Sequence, residues 1–219
     1  MKLYIDSAKI DEIKEALSLG YVEGITTNPT LLKVAEIWKD YKSIKSFYSK
    51  LLDLCDGEIF VQIPSVNPQK VLDELENLDR SRLVIKIPSV PSGVQVAKDL
   101  IDRGYYVCAT AVYAPSQAIA WASIDVDYIA IYFNRMELSG INALENTKTI
   151  LNLLSKTRTK VLAASVKTLE QLNSLVSAGV DYVTVGHDLL QQLMNSENSL
   201  KDTKVFDADM LKVLKEFSK

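Results

Sequence analysis

The sequence predicts an α/β protein of the single (β/α)8 TIM barrel class, and three observations lead there. Eight short β-branched or aromatic runs recur along the 219 residues, about one every 27. Segments of helical periodicity alternate with them, which is the order of repeated βα units and a parallel sheet. The runs are also almost continuously apolar, as strands covered on both faces must be. An open doubly wound sheet is the alternative, but no GxGxxG and no Walker sequence follows any run, so its usual nucleotide signals are missing. With no linker in sight, residues 1–219 are expected to form one barrel domain.

Taken in order, the strand candidates are LYID (3–6), GITT (24–27), IFVQIP (59–64), LVIKIP (83–88), YVCATAV (106–112), YIAIYFN (128–134), KVLAAS (160–165) and YVTVG (182–186). The first is followed by AKIDEIKEALSLG, whose apolar residues fall at helical spacing and whose end is a glycine. After the second, the segment 31–55 is longer than one helix needs and is expected to hold two. Amphipathic stretches NPQKVLDELENL and SGVQVAKDLIDRG follow strands three and four, and GINALENTKTILNLLSK and SVKTLEQLNSLVSAG follow six and seven. Several open on Ser, Asn or Gly and close on Gly, as capped helices do. DADMLKVLKEF (207–217) predicts an extra helix after the eighth strand.

Composition narrows the function classes. A 47% hydrophobic and 24% charged chain of this length buries a sizeable core without a disulfide or metal staple. Twenty-five basic and 28 acidic residues give a net charge of −3 with the signs interspersed, which is no footprint for nucleic acid. Cys55 and Cys108 have no CxxC or Cys/His spacing, and His187 is the only histidine, so neither a zinc site nor a histidine triad is expected. Charges interrupt the N-terminal MKLYIDSAKIDEIKEAL, which therefore lacks a secretory or membrane-spanning apolar stretch. A cytoplasmic location without membrane partners is expected.

In such barrels catalysis uses the C-terminal strand ends. The runs turn polar there: Asp6 in the first, Thr26 and Asn28 in the second, Gln62, Lys86, Thr110, Tyr132 and Ser165 in the third to seventh. Side chains of matching parity near one end converge on the barrel axis. Scattered polar residues, each satisfied separately, are the bland alternative.

Lys86 is the least comfortable of these. Among Leu, Val and Ile, desolvation disfavours its charged form, and a neutral amine attacks a ketone or aldehyde to give a Schiff base whose iminium eases cleavage of the adjacent carbon–carbon bond. That chemistry needs no metal or other cofactor. A lysine held cationic by a buried carboxylate such as Asp6 is the structural alternative. Tyr132 is placed to shuttle a proton, directly or through a water held with Gln62 and Thr110. Arg135, Ser165 and Lys167 supply the fork, hydroxyl and ammonium that hold a phosphate. His187 is expected to cap or pack the eighth helix, and Cys108 to pack.

At this point GITTNPT (24–30), LVIKIP (83–88), ATAVY (109–113), YIAIYFNR (128–135) and LAASVKT (162–168) together resemble the small transaldolases and fructose-6-phosphate aldolases. The resemblance implies a class I aldolase with Lys86 as the Schiff-base lysine, Asp6 and Asn28 facing the dihydroxyacetone moiety, and Arg135 and Ser165 on the acceptor phosphate. It further implies small-molecule sugar phosphates and dihydroxyacetone as partners and a homo-oligomer, pentamer or decamer, with the terminal helix reaching a neighbour. Gln62 and Tyr132 are similar to the aldolase side of the family, where transaldolases carry Glu and Phe. Release of free dihydroxyacetone is accordingly expected, with transfer of the dihydroxyacetone unit between sugar phosphates as the alternative. A catalytically silent sugar-phosphate binder is a remote one. Ile131, Phe133 and His187 depart from the family pattern.

Overall fold

In the computed structural model, which describes residues 1–218, eight parallel strands close into a barrel in sequence order. They are β1 (Lys2–Asp6), β2 (Gly24–Thr26), β3 (Ile59–Gln62), β4 (Leu83–Pro88), β5 (Tyr106–Val112), β6 (Tyr128–Tyr132), β7 (Lys160–Val166) and β8 (Tyr182–Val185), and β8 pairs with β1 to close the ring. The connections carry α1 (Ile10–Ser18), α2 (Pro29–Val34), α3 (Ile44–Leu54), α4 (Gln69–Leu75), α5 (Pro91–Asp102), α6 (Pro115–Ala122), α7 (Phe133–Leu138), α8 (Ala143–Leu154), α9 (Leu169–Ser177), α10 (His187–Gln192) and α11 (Glu197–Phe217). The expected α/β barrel with an extra C-terminal helix is the observed architecture. No helix among the described residues is long and apolar enough to cross a membrane.

Local chemistry sets several helix starts. Asn28 caps α2 by accepting from the Leu31 amide, with Pro29 in the first turn, and Asn142 and Thr168 cap α8 and α9 in the same way. Pro91 and Pro115 open α5 and α6, where a missing N–H costs nothing.

The boundaries differ from expectation at particular places. Strands two, three, six and eight stop one or two residues early, at Thr26, Gln62, Tyr132 and Val185. At β6 the reason is that Phe133 turns into α7 and buries its ring there. The stretch 31–55 holds the end of α2, a 3-10 turn at Ile37–Lys39, and α3. Helix α11 begins ten residues before the expected 207, at a Ser196 cap; ENSLKDTK has a single apolar residue, Leu200, so no hydrophobic stripe announces its first turns.

Two separate cores follow from strand alternation. Outward residues such as Ile5, Ile25, Val61, Ile85 and Val107 pack under the helices, while Tyr4, Phe60, Val84, Cys108, Tyr128, Ala130 and Leu162 fill the barrel itself. The rings of Tyr4, Phe60 and Tyr128 meet edge to face, with centroids 5.4 and 5.0 Å apart. Gly24 makes room for this stack, since a Cβ there would lie 2.8 Å from the Tyr4 ring.

Beneath the rings sits a polar stopper. Glu58, one residue before β3, accepts hydrogen bonds from the Tyr4 and Tyr128 hydroxyls, both at 2.6 Å. Lys160 at the start of β7 donates to the Tyr128 hydroxyl at 3.1 Å and lies over the Tyr128 and Tyr182 rings. The N-terminal end of the barrel is thereby closed by side chains.

Candidate active site

The opposite, C-terminal mouth holds a cavity of about 290 Å³, and seven of the predicted residues line it: Asp6, Asn28, Lys86, Tyr132, Arg135, Ser165 and Lys167. Lys86 lies two residues beyond Val84 on β4, so alternation sends its side chain into the barrel, and only 3% of it is exposed. Its Nζ donates to the Thr27 backbone carbonyl at 2.7 Å and takes part in no ion pair among the described residues. Thr27 is itself anchored, because its hydroxyl donates to the Phe60 carbonyl at 3.0 Å and meets the buried Tyr48 hydroxyl at 2.8 Å. The carbonyl that receives the lysine is thus held by two elements.

Asp6 does not neutralise Lys86. Its Oδ1 accepts from the Thr26 hydroxyl at 2.7 Å, and Thr26 in turn meets Thr184 at 2.6 Å. The structural alternative, a lysine locked on that carboxylate, is therefore not what the fold builds. The amine keeps one neutral partner and open space beside it, which suits addition to a carbonyl.

Thr26, Gln62 and Thr110 stand behind this lining. Thr26 and Thr110 are fully buried; Thr26 orients Asp6, and the Thr110 hydroxyl donates to Tyr132 Oη at 3.2 Å. Gln62 pairs in register with Lys86 on the adjacent strand, and its Oε1 is buried without a protein partner. Tyr132 is further held by the Arg135 guanidinium, 4.9 Å from its ring centroid.

Three placements depart from the sequence reading. Arg135 lies on α7, not on the end of a strand. Ser165 has the opposite parity from the inward-facing Leu162 and Ala164, and reaches the cavity because the β7–β8 register shifts between Ala163 and Val166 and Ser165 itself takes a left-handed conformation, φ 59°. A non-glycine residue held there is strained, as residues at functional sites often are. Of the two roles expected for His187, the structure shows packing and not the capping of α10. Gly186 occupies that position, and His187 Nε2 instead pairs with Glu15 Oε2 at 2.9 Å, tying α10 to α1.

Thr184 lines the cavity and was missed, so β8 joins β1, β4, β6 and β7 in walling it. In YVTV it reads as an ordinary strand former; its parity with the inward Tyr182 is the signal that would have found it. Asn134 and Thr30 were missed as well, each sitting on a helix after its strand has ended. Cys108, Lys86's other cross-strand neighbour, is fully buried, and burial pushes its thiol up to about 12. It packs, as expected.

The chain is similar to known proteins over most of its length. The chain is 31% identical over 198 residues to a probable transaldolase of Dictyoglomus turgidum, covering 88% of this chain and 90% of that one. It is 30% identical over 223 residues to a probable transaldolase of Chlorobaculum parvum, covering 97% and 100%. A solved thiamine phosphate pyrophosphorylase from Pyrococcus furiosus shares the fold, with a TM-score of 0.60 at 17% identity over 88% of this chain and 93% of that one. The model of the Transaldolase/Fructose-6-phosphate aldolase family matches residues 3–219, and to that family this chain belongs.

Proposed function

We propose that the protein is a class I aldolase that cleaves or forms fructose 6-phosphate through an iminium on Lys86. The observation that carries this is the buried Lys86 amine, in no ion pair among the described residues and opening on a polar cavity. Nζ adds to the keto carbon and water leaves, giving the iminium. A base takes the proton of the C4 hydroxyl, the C3–C4 bond breaks into the iminium, and glyceraldehyde 3-phosphate departs. The enamine left on Lys86 is protonated at C3, and hydrolysis of the iminium frees dihydroxyacetone and restores the amine.

Asp6 and Asn28 face the dihydroxyacetone portion in this scheme. The Asn28 side-chain oxygen is engaged by the Leu31 amide, so its Nδ2 is the group left to donate. Arg135, Ser165 and Lys167 offer a fork, a hydroxyl and an ammonium to the phosphate. Tyr132 carries the proton. The water that hydrolyses the iminium is oriented by Tyr132 Oη, which Thr110 holds from behind the lining, with Gln62 beside Lys86 on the next strand.

A second reading is transaldolase, in which the enamine attacks an aldose phosphate instead of being protonated. The relatives described above carry that name, and the narrower likeness to the aldolases at Gln62 and Tyr132 is part of this proposal. Supplying fructose 6-phosphate alone separates the two: free dihydroxyacetone is expected to accumulate, and strict dependence on added erythrose 4-phosphate would assign transfer instead. Tyr132→Phe removes the hydroxyl that orients the water. It is expected to lower the ratio of release to transfer by about tenfold, and an unchanged ratio would place water control elsewhere.

We also propose that α11 docks on a second copy in a homo-oligomer. None of its residues is buried, and Phe206, Met210, Val213 and Phe217 follow one another at spacings of three and four with 67, 57, 47 and 88% exposure. Light scattering should give a multiple of 24.4 kDa, and ending the chain before α11 should reduce that multiple. A monomeric full-length protein would refute the docking.

A further inference from the structure

A second cavity, of about 270 Å³, adjoins the one at Lys86, and the two share Asp6, Leu31 and Lys167 as walls. Its far side is built by the first turns of α1 and α10, which contribute Glu12, His187 and Asp188. The mouth of the barrel is therefore a cleft with two compartments, and the polar groups that differ between them decide what each accepts.

The first compartment offers Arg135 and Lys167 to an anion. The second sets three carboxylates, Asp6, Glu12 and Asp188, against Lys167 and one imidazole. A second phosphate would meet net repulsion there. Neutral hydroxyls suit it better, because they donate to carboxylates and accept from the ammonium. The polar groups are also held in place: Glu12 accepts from the Ser7 hydroxyl at 2.6 Å and from Lys9 at 2.8 Å. His187 Nε2 faces the Glu15 carboxylate at 2.9 Å, and Gln191 donates to the other oxygen of Glu15 at 2.7 Å. Because a carboxylate only accepts, Nε2 carries a proton toward Glu15, and Nδ1 is the ring nitrogen left to meet a hydroxyl.

We propose that this second compartment takes the hydroxyl-bearing tail of acceptor aldehydes longer than three carbons, and that His187 sets the preference for them. The proposal rests on the Lys86 Schiff-base reading and deepens it by naming the acceptor class. In this arrangement the aldehyde carbon meets the enamine at Lys86 while its outer carbinol groups pass the wall formed by Asp6, Leu31 and Lys167.

The test compares addition of dihydroxyacetone to glycolaldehyde, which has no tail, with addition to unphosphorylated D-erythrose. In His187→Leu the ratio of kcat/KM for erythrose to that for glycolaldehyde is expected to fall about tenfold, mostly through KM. His187→Gln, which keeps a polar group there, is expected to recover part of it. An unchanged ratio, or an equal loss with both aldehydes, overturns the proposal. Borohydride trapping of dihydroxyacetone on Lys86 distinguishes the levels. Intact trapping with an unchanged ratio removes the second compartment alone, whereas no adduct in the unaltered protein removes the Schiff-base reading and this proposal with it.

Discussion

Replacing Lys86 with methionine is expected to lower turnover by at least about 10⁴-fold, because Lys167, the other amine on the cavity wall, is exposed and follows the end of β7 instead of lying inside the barrel. The unaltered protein incubated with dihydroxyacetone and borohydride should gain one reduced adduct, and peptide mapping should place it on Lys86. The variant should gain none. Methionine approximates the volume of the lysine stem and brings no charge into the barrel, so thermal stability is expected to stay level or rise. That combination matters, since it separates lost chemistry from lost folding. Turnover within tenfold of the original, or an adduct on a different lysine, would refute the covalent mechanism.

The largest expected effect on stability lies at the other end of the barrel. Glu58→Leu leaves the Tyr4 and Tyr128 hydroxyls buried without their acceptor, and both residues are only 1% exposed. Two lost bonds to a carboxylate predict about 2–4 kcal/mol, or roughly a 10 °C fall in Tm for a chain of this size. Adding Tyr4→Phe and Tyr128→Phe should restore part of that loss, because the orphaned hydroxyls disappear with it. A Tm change under about 2 °C would show that the stopper contributes no stability.

The same tyrosines give an alkaline signature. Burial, and then Glu58, push both hydroxyls above their usual ionisation range, and burial does the same to Tyr48. Below the unfolded value of about 10 the groups are neutral in both states, so they add no pH dependence. As pH rises past 10 the unfolded chain loses protons that the folded one keeps, and stability falls. Denaturant melts between pH 8 and 11 should show this slope, and Tyr128→Phe should reduce it.

Much of this molecule was legible in its sequence, for identifiable reasons. Strands buried on both faces leave apolar runs that are easy to find, and a lysine inside one, as in LVIKIP, stands out because burying its charge is costly. The stopper was invisible. Glu58 precedes its strand after Asp56 and Gly57 and looks like a solvated turn residue, while its two partners lie 54 and 70 residues away. Ser165 was identified for its hydroxyl, yet it reaches the cavity through a backbone irregularity that parity counting cannot supply. Arg135 was legible as a phosphate ligand candidate, but its helix was not, because six residues, FNRMEL, are too few to establish a period.

Closing one end of the strand tunnel makes the site a dead end. Reactants and products of the proposed reaction would then share the C-terminal mouth, and a second aldehyde could not slip in from below while the first still occupies the threshold. Departure must precede arrival. Under the chemistry proposed above, the fragment tethered to Lys86 waits in a chamber where its fate is decided by whichever visitor crosses next, a solvent molecule or another sugar, and the rim of that doorway becomes the place where evolution would turn one activity into the other.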